Sequence, residues 1–159
     1  MPAPFEILAA TEEDTAAVGA RLAHALLPDA ASFGVVQLHG DLGAGKTTLA
    51  RGFLTALGVS GPVRSPTYTL VELYEPLTAG LTAVHLDLYR LADASELDAL
   101  GLTDWAAPRH VWLIEWPEKG AERTPAADLH ITLTPGVSGH HIAVNAATPL
   151  GERWIQRLV

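Results

Sequence analysis

The chain has 159 residues, 48% of them hydrophobic, with ten basic against eighteen acidic side chains and a formal net charge of −8. That length suits one domain around one core, and no apolar run approaches the roughly 18 residues that span a bilayer. There are no cysteines, which excludes disulfides, thiolate metal sites and cysteine nucleophiles. The amino-terminal Met1-Pro-Ala-Pro-Phe-Glu6 lacks the charged and apolar regions of a signal peptide, so a cytoplasmic protein is expected. The basic residues are scattered, without the cluster or stripe that grips phosphate backbones, which disfavours direct, tight binding of tRNA or DNA.

Phe5 to Leu8 predicts a first, edge strand. Thr11 followed by Asp14 reads as a helix-start box. Val18, Leu22, Ala25 and Leu26 then share one helical face, and the helix ends near Pro28. Phe33-Gly-Val-Val-Gln-Leu38 is a short apolar run that predicts a buried strand. It leads into Gly40-Asp-Leu-Gly-Ala-Gly-Lys-Thr-Thr48, which fits G-x-x-x-x-G-K-[ST] with Gly40, Gly45, Lys46 and Thr47 in the fixed places. Leu49, Phe53, Leu54 and Leu57 follow at helical spacing until Gly58 stops the run. Strand, glycine loop and helix form the context this motif requires.

The residue types follow from phosphate chemistry. Successive backbone N–H groups of Asp41, Leu42, Gly43, Ala44 and Gly45 must turn inward, which needs backbone freedom and close approach. The helix beginning near Lys46 adds unpaired N–H groups and a partial positive charge. Lys46 is expected to reach the β- and γ-phosphates, and Thr47, followed by Thr48, to offer its hydroxyl to Mg²⁺.

A turn-rich connector, 58–64, precedes Ser65-Pro66-Thr67-Tyr68. That segment reads either as a plain Ser-Pro turn or as a loop whose Thr67 hydroxyl orders against a γ-phosphate. Thr69 to Tyr74 and Leu81 to Leu86 predict two strands joined by the turn 76–80, a hairpin that puts an antiparallel element into a largely parallel sheet. Ser95 to Asp98 starts a short helix closed by Gly101, and Leu102 to Trp105 adds a turn. His110 to Glu115 predicts another buried strand, 116–127 a loop, 129–133 and 141–144 two further strands, and 151–159 a terminal helix.

Two of these strands end in an acid, Val84-His-Leu-Asp87 and Trp112-Leu-Ile-Glu115. In open α/β sheets, ligands gather beyond the carboxyl ends of the strands, and either acid fits the carboxylate that serves Mg²⁺ and water. The preferred division places Glu115 with Thr47 nearest the metal and gives Asp87 a metal-bound or attacking water; the sequence leaves both assignments open. His39 and His85 read as strand-end histidines rather than ligands, and adjacent His140 and His141 as facing opposite sides of a strand. Trp116 is either a lid over the site or an exposed partner anchor. Arg64, Arg90 and Arg109 are possible charge stabilisers.

Gly40 to Thr48, Ser65-Pro-Thr-Tyr-Thr-Leu-Val-Glu72, His85-Leu-Asp-Leu-Tyr-Arg-Leu91 and Ile114-Glu-Trp-Pro117 together resemble, in order and spacing, the TsaE (YjeE) family. These are small bacterial ATPases of tRNA threonylcarbamoyladenosine biosynthesis. The resemblance covers roughly Leu38 to Gly120. It implies a three-layer α/β P-loop NTPase fold with a mixed, mostly parallel sheet. It also implies ATP and Mg²⁺ as ligands, and docking on the TsaD–TsaB complex, which carries out the transfer and meets the tRNA. Carried over by motif, Lys46 and Thr47 bind phosphate and metal, Glu115 joins the metal, Asp87 supports catalysis, and Ser65 to Tyr68 resembles a switch loop. Thr11 and Glu12 are expected near the adenine. A rival reading, a small-molecule kinase, calls for an arginine-rich lid that the sequence does not show. A second, a nucleotide-dependent binding module without hydrolysis, shares the same loop.

Overall fold

In the computed structural model, which describes residues 4–63, Pro66 and 69–159, seven strands form one mixed sheet. They are β1 (Phe5–Ala9), β2 (Gly34–His39), β3 (Val71–Tyr74), β4 (Thr82–Asp87), β5 (His110–Glu115), β6 (Leu129–Gly136) and β7 (Gly139–Ala146). The order across the sheet is β1-β7-β6-β2-β5-β4-β3. The middle four, β6-β2-β5-β4, are parallel, whereas β3 on one edge and β7 and β1 on the other run antiparallel to their neighbours. The hairpin read from 69–86 is the β3–β4 pair, with Val71 opposite Leu86.

Three α-helices, α1 (Glu12–Leu26), α2 (Lys46–Ala56) and α3 (Pro149–Leu158), cover one face of the sheet. Alternation along the strands sends Val36, Leu38, Leu113, Ile131 and Ile142 into this cluster with Val18, Leu22, Phe53 and Trp154. The opposite residues Val35, Val84, Leu86, Trp112 and Ile114 enter a second cluster, closed by Leu91, Leu97 and Leu102. The third layer is thus built from 3₁₀ turns at Ala94–Leu100 and Leu102–Trp105 rather than from α-helices. The seven residues between Asp93, which caps the first turn, and left-handed Gly101 are too few for a longer helix.

Thr11 caps α1 through the expected box: its hydroxyl accepts from the Asp14 N–H at 3.1 Å, and the Asp14 carboxylate accepts from the Thr11 N–H at 3.3 Å. The α-helix ends at Leu26 and a 3₁₀ turn carries Pro28. α1 and α2 cross at Gly19 and Gly52, where a Cβ would sit 2.1 Å from the Leu49 carbonyl oxygen and 2.0 Å from that of Ala16. Backbone contact at the crossing sets α2, and with it the loop in front of α2, against the start of α1. β6 and β7 run longer than the sequence pattern suggests, through Pro135 and Gly136. β2 stops pairing at Thr132, so on that side Pro135 has no ladder for its missing N–H to break.

Candidate nucleotide site

The segment between β2 and α2 turns through glycines held at positive φ, +81° at Gly43 and +101° at Gly45. Gly45 caps α2, a left-handed position where any Cβ would be strained. The turn leaves the first N–H groups of α2 facing a cleft of about 610 Å³. Three parts of the chain meet around that cleft. Leu42 to Thr48 form its floor, Glu12 and Thr15 enter from the start of α1, and the ends of β4 and β5 supply Asp87, Tyr89, Arg90, Glu115 and Trp116. His140 closes one side, while His141 points the other way, toward Glu6 at 3.8 Å.

Asp87 and Glu115 are register partners on adjacent parallel strands, and the Leu88 N–H donates to the Glu115 carbonyl at 3.1 Å. Both carboxylates therefore emerge on the same face at the same height, beside the start of α2. Glu115 is 2% exposed. Its Oε1 accepts from the Thr47 hydroxyl at 2.9 Å, and its Oε2 lies 2.7 Å from His85 Nε2. Asp87, 6% exposed, accepts from the Tyr89 N–H through Oδ1 at 3.1 Å.

Lys46 is also buried, with Nζ donating to the Gly40 carbonyl oxygen and, at 3.3 Å, to that of Asp41. Burial pushes its pKa below the ordinary lysine value, against the opposing pull of Glu115, Glu118, Asp87 and Asp41. Trp116 adopts a left-handed φ of +58°, which turns the chain sharply after β5. Its indole face lies 3.7 Å from Lys46 Nζ and 5.1 Å from the Tyr89 ring centroid, so it is a lid on the loop lysine.

The structure thus gathers Glu12, Leu42 to Thr48, Asp87 and Glu115 around one cavity. Thr11 is not among its lining residues; its hydroxyl is occupied in capping α1. Asp41 contributes its carbonyl to Lys46 rather than a cleft wall. Thr67, with Arg64, Ser65 and Tyr68, lies outside the described residues. Arg90 lines the cleft, whereas Arg109 precedes β5 at the far end of the sheet and donates to the Ala79 carbonyl at 3.0 Å. His39 faces the other side, 2.9 Å from His130. Burial first, then His130, lowers its pKa.

His85 is the site-related residue that strand-end reasoning misses. It is fully buried within β4 and bonded to Glu115. Period-two spacing from Asp87 places it on the same face, a signal present in the sequence that carries no meaning until β4 and β5 are known to be neighbours.

Comparison with known proteins shows the family. A family model described as "Threonylcarbamoyl adenosine biosynthesis protein TsaE" matches residues 9–141. The chain belongs to the TsaE family. The "tRNA threonylcarbamoyladenosine biosynthesis protein TsaE" of Haemophilus influenzae is 47% identical over 121 residues, covering 76% of this chain and 75% of that one. The TsaE of Mycobacterium tuberculosis is 42% identical over 128 residues, covering 76% and 73%. Among solved structures, Bacillus subtilis YdiB superposes with a TM-score of 0.79 at 29% identity, covering 99% of this chain and 95% of that one. Much of the TsaE match lies between β1 and β7, the span that builds the cleft.

Proposed function

We propose that this chain is a one-domain, Mg²⁺-dependent ATPase of tRNA threonylcarbamoyladenosine biosynthesis. On this reading it acts in the cytoplasm by docking on the TsaD–TsaB complex and supporting its turnover, without transferring the group itself. The observation that carries the catalytic part is the 2.9 Å contact between Thr47 Oγ1 and Glu115 Oε1 at the mouth of a glycine loop. A helix-start hydroxyl and a buried strand-end carboxylate meet where a triphosphate on the loop would end.

The donor chemistry fits the metal. Thr47, Glu115 and Asp87 present oxygen only, and Mg²⁺ is held by one or two carboxylates together with substrate phosphates and water. Thr47 and Glu115 would hold the ion, with Asp87 beside them. Bound there, Mg²⁺ supplies charge neutralisation on the phosphates. The loop N–H groups and the start of α2 bind the phosphate oxygens. Lys46 exchanges the Gly40 and Asp41 carbonyls for phosphate, and the face of Trp116 keeps water from its ammonium group. Asp87 orients the attacking water and accepts its proton at a carboxylate oxygen. Glu12 and Thr15, across the cleft, lie on the side where the base would rest.

The acidic charge supports a division of labour in which partners contact the tRNA, because a chain of net charge −8 is repelled by phosphate backbones. No helix among the described residues is long and apolar enough to cross a membrane. The test is phosphate release from ATP by the purified protein, with and without TsaD–TsaB and with Mg²⁺ or EDTA. Release that needs Mg²⁺ and rises with the partner complex is the expected result. No release above background with the complex present would leave a binding module without hydrolysis.

A further inference from the structure

Glu115 is held from two sides. On the cleft side Oε1 accepts from Thr47, and on the interior side Oε2 meets His85 Nε2 at 2.7 Å. His85 is fully buried on β4, in register with Leu113, two residues before Asp87. It does not line the cleft, so it reaches a ligand only through Glu115.

The ring's other nitrogen is informative. His85 Nδ1 is buried and has no hydrogen-bond partner among the described residues. A carboxylate only accepts, so Nε2 carries the hydrogen of the 2.7 Å contact, and Nδ1 takes no part in it. Burying an imidazole costs free energy that an aliphatic side chain in the same space would not. Filling the interior therefore does not account for histidine here; the Glu115 contact does. A glutamate has three side-chain torsions, and Thr47 alone engages one of its oxygens. The Nε2–H group fixes the second oxygen and hence the plane of the carboxylate.

We infer that His85 is a positioning residue, whose Nε2–H holds the Glu115 carboxylate so that Oε1 stays aimed at Thr47 and the metal side of the cleft. Residues that orient metal ligands from behind typically change metal affinity 10–100-fold when removed. The inference rests on the metal role proposed for Glu115.

The experiment measures ATP affinity in Mg²⁺ and in EDTA, by tryptophan fluorescence or calorimetry, for the wild type and for His85→Leu, His85→Asn and His85→Gln. A glutamine amide reaches the position of Nε2, whereas an asparagine amide reaches only that of Nδ1. His85→Gln is therefore expected to retain most of the Mg²⁺-dependent gain in affinity. His85→Asn and His85→Leu are expected to lose about tenfold of it, with EDTA affinities within about twofold of wild type. The Asn–Gln contrast carries the test if His85→Leu does not fold. Equal behaviour of His85→Asn and His85→Gln, or an equal loss in Mg²⁺ and EDTA, would overturn the positioning role while leaving the ATPase reading intact. A wild type whose ATP affinity ignores Mg²⁺ would instead remove the metal role on which the inference stands.

Discussion

The ends of β4 and β5 look alike in sequence and differ in surroundings. Each is an apolar strand closed by an acid, and the structure pairs Asp87 with Glu115 in register. Yet Glu115 is clasped between Thr47 and His85, while Asp87 sits at the strand end, bonded to the N–H two residues on. Two buried carboxylates side by side thus have different surroundings. One has both oxygens engaged and an orientation set by the fold, which suits an ion that demands near-ideal octahedral geometry. The other lines the cleft with Oδ1 on the Tyr89 N–H, a place that suits handling water. Environment, rather than residue type, separates the proposed roles.

The largest break in this comparison comes from Glu115→Gln, which keeps the shape and removes the charge. Mg²⁺-dependent hydrolysis is expected to fall by roughly 1000-fold, with ATP affinity in EDTA nearly unchanged, as steady-state phosphate release and a binding titration will show. Asp87→Asn is expected to lower hydrolysis by about 100-fold, the scale of a lost acid–base group, while the Mg²⁺-dependent gain in ATP affinity stays. Lys46→Ala acts on both strand ends alike. Losing one charge-assisted contact of about 2 kcal/mol weakens ATP binding roughly 30-fold, in Mg²⁺ and EDTA equally, as calorimetry will show.

A control far from both ends is Asp29, after α1. It accepts from Arg157 at 2.8 Å, lies 3.6 Å from Arg153, and so ties α3 to the end of α1. Burial raises its pKa, but the two arginines outweigh that and hold it below the ordinary value of 3.8. A depressed carboxylate stabilises the fold above its unfolded pKa, and the stabilisation fades as pH falls through the lower folded pKa. Asp29→Asn should therefore cost about 1 kcal/mol or less at neutral pH and nothing once the pH lies below both values. Denaturant melts at pH 7 and in the acid range check this, and the ATP affinity of the variant should match wild type.

Much of this arrangement is legible in the sequence. The loop from Gly40 to Thr48 announces itself because phosphate binding needs glycines, a lysine and a hydroxyl at fixed spacing, and because β2 and α2 flank it. The β3–β4 hairpin, the Thr11 cap and the two acid-ended strands also follow from local patterns. Long-range pairing did not. Nothing in His85-Leu-Asp87 says that β5 will lie alongside, so the bond to Glu115 is invisible until the sheet order is known. The crossing at Gly19 and Gly52 is hidden for the same reason, since a helical glycine gains meaning only from the backbone that approaches it. Thr11 is legible as the cap of α1, which it is, but it is not among the residues lining the cleft. The extension of β6 through Pro135 depends on where β2 stops, which is again a property of the neighbour.

In the proposed mechanism the end of β5, not the end of β4, holds the metal. ATP affinity measured across an Mg²⁺ titration in Glu115→Gln and Asp87→Asn tests it most directly. Glu115→Gln should abolish the Mg²⁺-dependent gain and Asp87→Asn should keep it; the reverse pattern would move the metal to Asp87.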